Sequence, residues 1–121
     1  RSDFVSLHAP LTDDTRGQFN ADAFAQMKPS AVFVNTARGG LHDQAALYDA
    51  LRTRQIFAAG LDVTDPEPMD ADDPLLALPN CLVLPHIGSA TIASREAMAT
   101  IAAENVIRGV RGQPLRCVVG P

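Results

Sequence analysis

Four polar residues in this 121-residue chain, Arg38, Asp62, Glu67 and His86, combine a fixed cation, two carboxylates and an imidazole. A guanidinium is a planar, permanently charged fork suited to a carboxylate or a polarised oxygen. An imidazole beside a carboxylate can give or take a proton near neutral pH. Three of the four follow short apolar runs: Ala31-Val-Phe-Val-Asn-Thr precedes Arg38, Phe57-Ala-Ala-Gly-Leu precedes Asp62, and Cys81-Leu-Val-Leu-Pro precedes His86. If these runs are neighbouring parallel strands, their C-terminal ends share one edge of a sheet, where open α/β sheets bind ligands.

The intervening segments fit that arrangement. Phe4–His8 is a short β-prone run stopped by Pro10. Asn20 can cap a helix over Ala21–Lys28, ended by Pro29, and Asp43 can cap another through about Arg54, with Ala46, Leu47, Ala50 and Leu51 at helical spacing. The run Ala31–Thr36 is apolar on nearly every residue, as expected of a parallel strand covered on both faces. Phe57–Val63 and Cys81–Leu84 read as two more strands. Between them, Pro66, Pro68, Pro74 and Pro79 rule out a continuous element, although Leu75–Leu78 can form one helical turn. From Thr91 to about Arg108 a long helix is expected, with Met98, Ile101, Ala102 and Val106 on its inner stripe and Gly109, Gly112 and Pro114 ending it. The order β-α-β-α-β-loop-β-α implies a parallel sheet with right-handed crossovers, about half of a doubly wound domain.

Composition narrows the function. An apolar fraction of 46% with 20% charged residues is that of a folded globular chain. Ten basic against fourteen acidic residues give a net charge of −4, without the basic cluster that nucleic acid requires. No apolar stretch approaches the ~20 residues of a membrane span. Cys81 and Cys117 have no metal-ligand spacing and read as reduced thiols of a cytoplasmic protein, and no metal is expected. The acids Asp65, Asp70, Asp72 and Asp73 lack the spacing and glycine of a calcium loop. The chain opens on Arg1-Ser-Asp without a methionine, which suggests a piece of something longer.

None of the eight glycines forms G-x-G-x-x-G, the pattern that brings backbone against a pyrophosphate. Either no dinucleotide binds, or the phosphate-binding half lies upstream. Five ordered words bear on this: His8-Ala-Pro-Leu-Thr, Val34-Asn-Thr-Ala-Arg-Gly-Gly, Ala59-Gly-Leu-Asp-Val, Asp65-Pro-Glu-Pro and Leu84-Pro-His-Ile-Gly-Ser-Ala-Thr. Together they resemble the NAD(P)-dependent D-2-hydroxyacid dehydrogenases, most closely the glyoxylate/hydroxypyruvate reductase branch, from Ser2 to about Leu115.

The resemblance implies an α/β fold: the second half of a doubly wound Rossmann-type parallel sheet over residues 1–90, then a closing helix and tail over 91–121 that return toward an absent substrate domain. It implies three catalytic residues. Arg38 would bind the substrate carboxylate and reacting oxygen, His86 would be the acid-base, and Glu67 would hold the other imidazole nitrogen, a carboxylate there favouring the charged ring. Asp62 would hold the nicotinamide carboxamide with main-chain help from Thr36, Ala37 and Gly88, while Ala9 and Pro10 would lie under the cofactor, which Arg38 and His86 would also touch. Ser89 would line the substrate pocket beside His86. His8 and His42 match no catalytic position and read as structural.

The implied activity is hydride transfer between NAD or NADP and a small 2-oxo or 2-hydroxy acid, in a homodimer formed through the cofactor domain. Glu67 itself favours 2-oxo acids, since the formate dehydrogenase relatives pair a glutamine with their histidine. The cofactor discriminator lies upstream, so neither NAD nor NADP is preferred. Alone, the chain is expected to be inactive and aggregation-prone, with a sheet edge exposed and the phosphate loop missing. The competing reading is a non-catalytic NAD-sensing corepressor or scaffold on the same fold.

Overall fold

The computed structural model describes residues 2–118, in two compact units that divide after Ile87. In the first, four strands, β1 (Phe4–Leu7), β2 (Val32–Asn35), β3 (Ala58–Leu61) and β4 (Cys81–Val83), form one parallel sheet in the order β1-β2-β3-β4. Helix α1 (Ala21–Ala25) joins β1 to β2, and α2 (Gln44–Arg52) joins β2 to β3. The expected α/β class and parallel sheet are therefore present.

The caps are the ones the sequence signals. Asn20 Oδ1 accepts from Ala23 N–H at 3.1 Å, and Asp43 Oδ1 from Ala46 N–H at 3.0 Å, each satisfying an amide with no partner inside its helix. Helix α1 is shorter than its pattern predicts and closes at Gln26. With so few residues it is held by Phe24, fully buried, rather than by propensity.

Both crossovers step in the same direction across the sheet, so right-handed connections place α1 and α2 on one face. The core lies there: Phe24, Leu47 and Leu51 from the helices meet Phe33, Ala59 and Leu61 from the strands. Phe24 and Phe33 pack edge to face with ring centres 5.2 Å apart. In register, Phe4, Val32 and Ala58 align on the opposite face, as do Val34, Gly60 and Leu82, and these are half-buried or exposed. Within this unit both helices go to the same side of the sheet and cover one face of β2.

The second unit holds α3 (Ile92–Val110) and a tail. Thr91 Oγ1 caps it by accepting from Ser94 N–H at 3.2 Å. The tail folds back on the last turns: Asn105 Nδ2 donates to Arg116 C=O at 2.9 Å, its Oδ1 accepts from Arg116 N–H at 2.7 Å, and Arg116 pairs with Glu104. Within this unit Met98 and Val106 of the expected stripe are exposed. Its spacing reports an apolar face without saying what covers it. Arg1 and residues 119–121 of the two expected ranges lie outside the described residues.

Candidate active site

Parallel register puts the C-terminal ends of β2, β3 and β4 side by side: Asn35 pairs with Leu61 and Leu61 with Val83. Arg38, Asp62 and His86 follow these residues directly or within three positions, and so leave the same edge of the sheet. Glu67 comes from the proline-rich segment after β3. Its Oε1 lies 2.5 Å from His86 Nδ1, across nineteen residues of sequence. Both side chains are half-exposed, open to a small molecule.

His86 has φ +54°, the left-handed region that a residue with a Cβ seldom occupies. Strain of this kind costs roughly 1–3 kcal/mol and collects at functional positions. Asp62 helps to hold the turn. It is buried, and its Oδ1 accepts from the N–H of Ile87 at 2.8 Å, fixing the backbone next to the imidazole. This use of Asp62 within the chain was not visible in the sequence, because a carboxylate at a strand end does not announce an amide twenty-five residues away.

The turn bearing Arg38 is held from beneath. After β2 the chain enters a 3₁₀ turn over Gly39–Leu41. A Cβ on Gly39 would sit 1.9 Å from the carbonyl oxygen of Thr64, so only glycine permits this approach. Arg38 is exposed, and its Nη1 donates to the carbonyl of Ala37 at 2.7 Å. Below it lies buried Asn35, whose amide contacts Ala37, Arg38 and His42. Burial holds His42 down to about 4, against the raising influence of Asp43 and Asp65. It is a neutral core histidine at ordinary pH. His8, by contrast, is exposed and bonds Ser6 Oγ through Nε2 at 2.9 Å.

Two concavities collect most of the expected residues. One, of about 490 Å³, is lined by Asp62, Glu67 and His86 with Met69 and Leu76 as apolar members. The other, of about 710 Å³, is lined by Ala9, Pro10, Ala37 and Arg38. Met69 and Leu76 were not anticipated; nothing in a proline-rich loop distinguishes a lining side chain from a solvated one. Thr36 is exposed beside Ala37, while Gly88 and Ser89 belong to the second unit. Burial pushes the Cys81 thiol up to about 11, away from the thiolate form that a nucleophile needs. Among the described residues no group of His, Cys, Asp and Glu is arranged for a metal ion, and no helix is long and apolar enough to cross a membrane.

A parallel α/β sheet with an imidazole–carboxylate pair and an arginine on its C-terminal edge defines the class, half of a doubly wound α/β domain of the kind that binds ligands at that edge. Residues 1–88 match the D-isomer specific 2-hydroxyacid dehydrogenase NAD binding domain, and the chain belongs to that family. Among curated relatives, human glyoxylate reductase/hydroxypyruvate reductase is 50% identical over 115 residues, 95% of this chain and 35% of the relative. Among solved structures, D-lactate dehydrogenase with NAD+ from Lactobacillus jensenii superposes with a TM-score of 0.88 at 36% identity, over 99% of this chain and 40% of that one. The NADPH-dependent glyoxylate/hydroxypyruvate reductase from Sinorhizobium meliloti, with NADP and malonate, gives 0.82 at 37% identity, over 88% and 33%. The chain thus spans about a third of the length of the curated relatives it matches.

The residues present fit a nicotinamide. Ala9, Pro10 and Ala37 give the second concavity small apolar walls of the kind a flat ring can rest on.

Proposed function

We propose that the protein carrying this segment reduces a small 2-oxo acid of the glyoxylate or hydroxypyruvate type with NAD(P)H, and oxidises the corresponding 2-hydroxy acid in reverse. The 2.5 Å contact of Glu67 with His86 on the ligand-binding edge carries this reading. The names of the curated relatives support it.

When bound, the cofactor supplies the hydride. Ala9 and Pro10 would hold its nicotinamide end, and Asp62 would accept from the carboxamide, a role that the family resemblance also gives to the main chain of Thr36, Ala37 and Gly88. Arg38 grips the substrate carboxylate and carbonyl oxygen, a bidentate task that fixes orientation as well as charge. His86, with Nδ1 engaged by Glu67, turns Nε2 to the substrate and donates the proton as negative charge develops on oxygen. In the reverse direction Nε2 accepts that proton. The family resemblance gives Ser89, three residues after His86, a place in the substrate pocket. Residues 1–90 act as the second half of the cofactor domain and 91–121 as its closing helix.

The same reading makes the protein a cytoplasmic homodimer, without membrane or nucleic-acid partners. Two free thiols and the net charge of −4 are consistent with it. A spectrophotometric assay of the full-length protein with glyoxylate and hydroxypyruvate, using NADH and NADPH in turn, tests the activity. Turnover with either cofactor is expected; none with any combination overturns the proposal in favour of a nucleotide-sensing role.

A further inference from the structure

Asn35 closes β2 fully buried, and its amide is committed on every side. Oδ1 accepts from Ala37 N–H at 3.0 Å. Nδ2 lies 2.8 Å from the carbonyl of Arg38 and 3.0 Å from His42 Nδ1. An amide N–H can only donate and a carbonyl can only accept, so the orientation of Asn35 follows from chemistry. Its two Nδ2 hydrogens then go one to Arg38 and one to His42. His42 Nδ1 must therefore accept, which places the proton of the neutral ring on Nε2.

The imidazole itself is buried and meets Phe33 edge-on at 5.7 Å between ring centres. Nε2 has no hydrogen-bond partner among the described residues. A buried N–H without a partner is unfavourable. An aliphatic residue at position 42 would avoid it, but would leave one Asn35 hydrogen bare beneath Arg38. The imidazole instead supplies the acceptor that fixes the amide holding the Arg38 turn.

We propose that His42 is a positioning residue for Arg38: as a neutral Nε2–H ring it fixes the Asn35 amide, and through it the backbone of Ala37 and Arg38 from which the guanidinium projects. This rests on the reading of Arg38 as the substrate-carboxylate anchor. It goes beyond that reading by assigning a role in substrate binding to a side chain that does not reach the substrate.

The test uses the full-length protein with His42→Leu and His42→Asn. Leucine fills space without an acceptor, whereas asparagine can place Oδ1 where Nδ1 stands. His42→Leu should raise KM for glyoxylate about tenfold, the equivalent of one lost hydrogen bond, with NADPH affinity changed less than about threefold. His42→Asn should return KM to within about threefold of the parent. A folded His42→Leu protein with unchanged KM, or a raised KM that asparagine does not rescue, overturns the proposal. Should the parent protein turn over no 2-oxo acid, the functional reading fails, and two further measurements still decide this one. Ring-nitrogen shifts of the histidine-labelled protein must show the Nε2–H tautomer for His42, and amide exchange at Ala37 must quicken in His42→Leu and recover in His42→Asn. The Nδ1–H tautomer or unaltered exchange would refute it, and if His42→Leu does not fold, the tautomer and the asparagine variant give the answer.

Discussion

Glu67 Oε1 and His86 Nδ1 meet at 2.5 Å although one sits in a proline-rich loop and the other just beyond a strand three residues long. The contact selects which imidazole nitrogen is left for chemistry. Replacing His86 with Asn should lower turnover by ~10²–10⁴, the usual contribution of a general acid. A loss below about tenfold, measured in steady state, would count against proton transfer by this residue.

Glu67 separates orientation from charge. Glu67→Gln keeps an oxygen for Nδ1–H and removes the negative charge, while Glu67→Ala removes both. Turnover should fall in both variants and further in alanine, within the same ~10²–10⁴ range that covers loss of the acid itself. Equal activities would mean that the hydrogen bond is not needed to aim the ring.

Arg38 should not be replaceable by lysine, because a point charge cannot reproduce the planar fork. In Arg38→Lys, kcat/KM for 2-oxo acids should drop at least about tenfold, the range of a charge-assisted hydrogen bond at roughly 1.5–3 kcal/mol. An aldehyde of similar size but without the carboxylate provides the control. If both substrates suffer alike, Arg38 is not the carboxylate anchor.

Stability should depend on His42 in a defined pH window. Its folded value of about 4 lies below the ordinary 6.5, so between these limits the unfolded chain binds the proton and the folded chain does not. Folding stability therefore falls as pH drops from 6.5 toward 4, by on the order of 3 kcal/mol. Urea titrations across that window should show the slope in the parent and its loss in His42→Asn. A parent slope that persists unchanged in the variant would assign it to other groups.

Gly39→Ala should destabilise the fold, since the new methyl would lie 1.9 Å from Thr64 O and main chain must move to admit it. Overpacking of this kind costs roughly 1–3 kcal/mol. Gly17 offers no steric reference because its φ of +62° adds its own strain, so Gly60→Ala, with open space at its Cβ, is the appropriate control. Equal midpoints for the two variants in denaturant would show that the loop yields freely.

Much of this was legible in the chain. Apolar runs located all four strands, Asn20 and Asp43 marked two helix starts, and the strand ends carried Arg38, Asp62 and His86 to one edge. Those signals are local, set by periodicity and capping. What stayed hidden was contact between loops: Asp62 with the Ile87 amide, Gly39 against Thr64, and His42 beneath Arg38 through Asn35. Such contacts join residues far apart in sequence and leave no repeat or spacing to read. For α3, periodicity shows that a face is oily and is silent about its partner.

The closeness of Gly39 to Thr64 means that the segment carrying Arg38 and the segment leading to Glu67 abut peptide to peptide. No exchangeable side chain acts as a spacer between them. On the proposed function, drift at cavity residues such as Met69 or Leu76 would alter which acids fit while the Arg38 and Glu67 segments stay in contact. Substrate range and catalytic alignment would then be inherited through different atoms, and one could diversify while the other stays still.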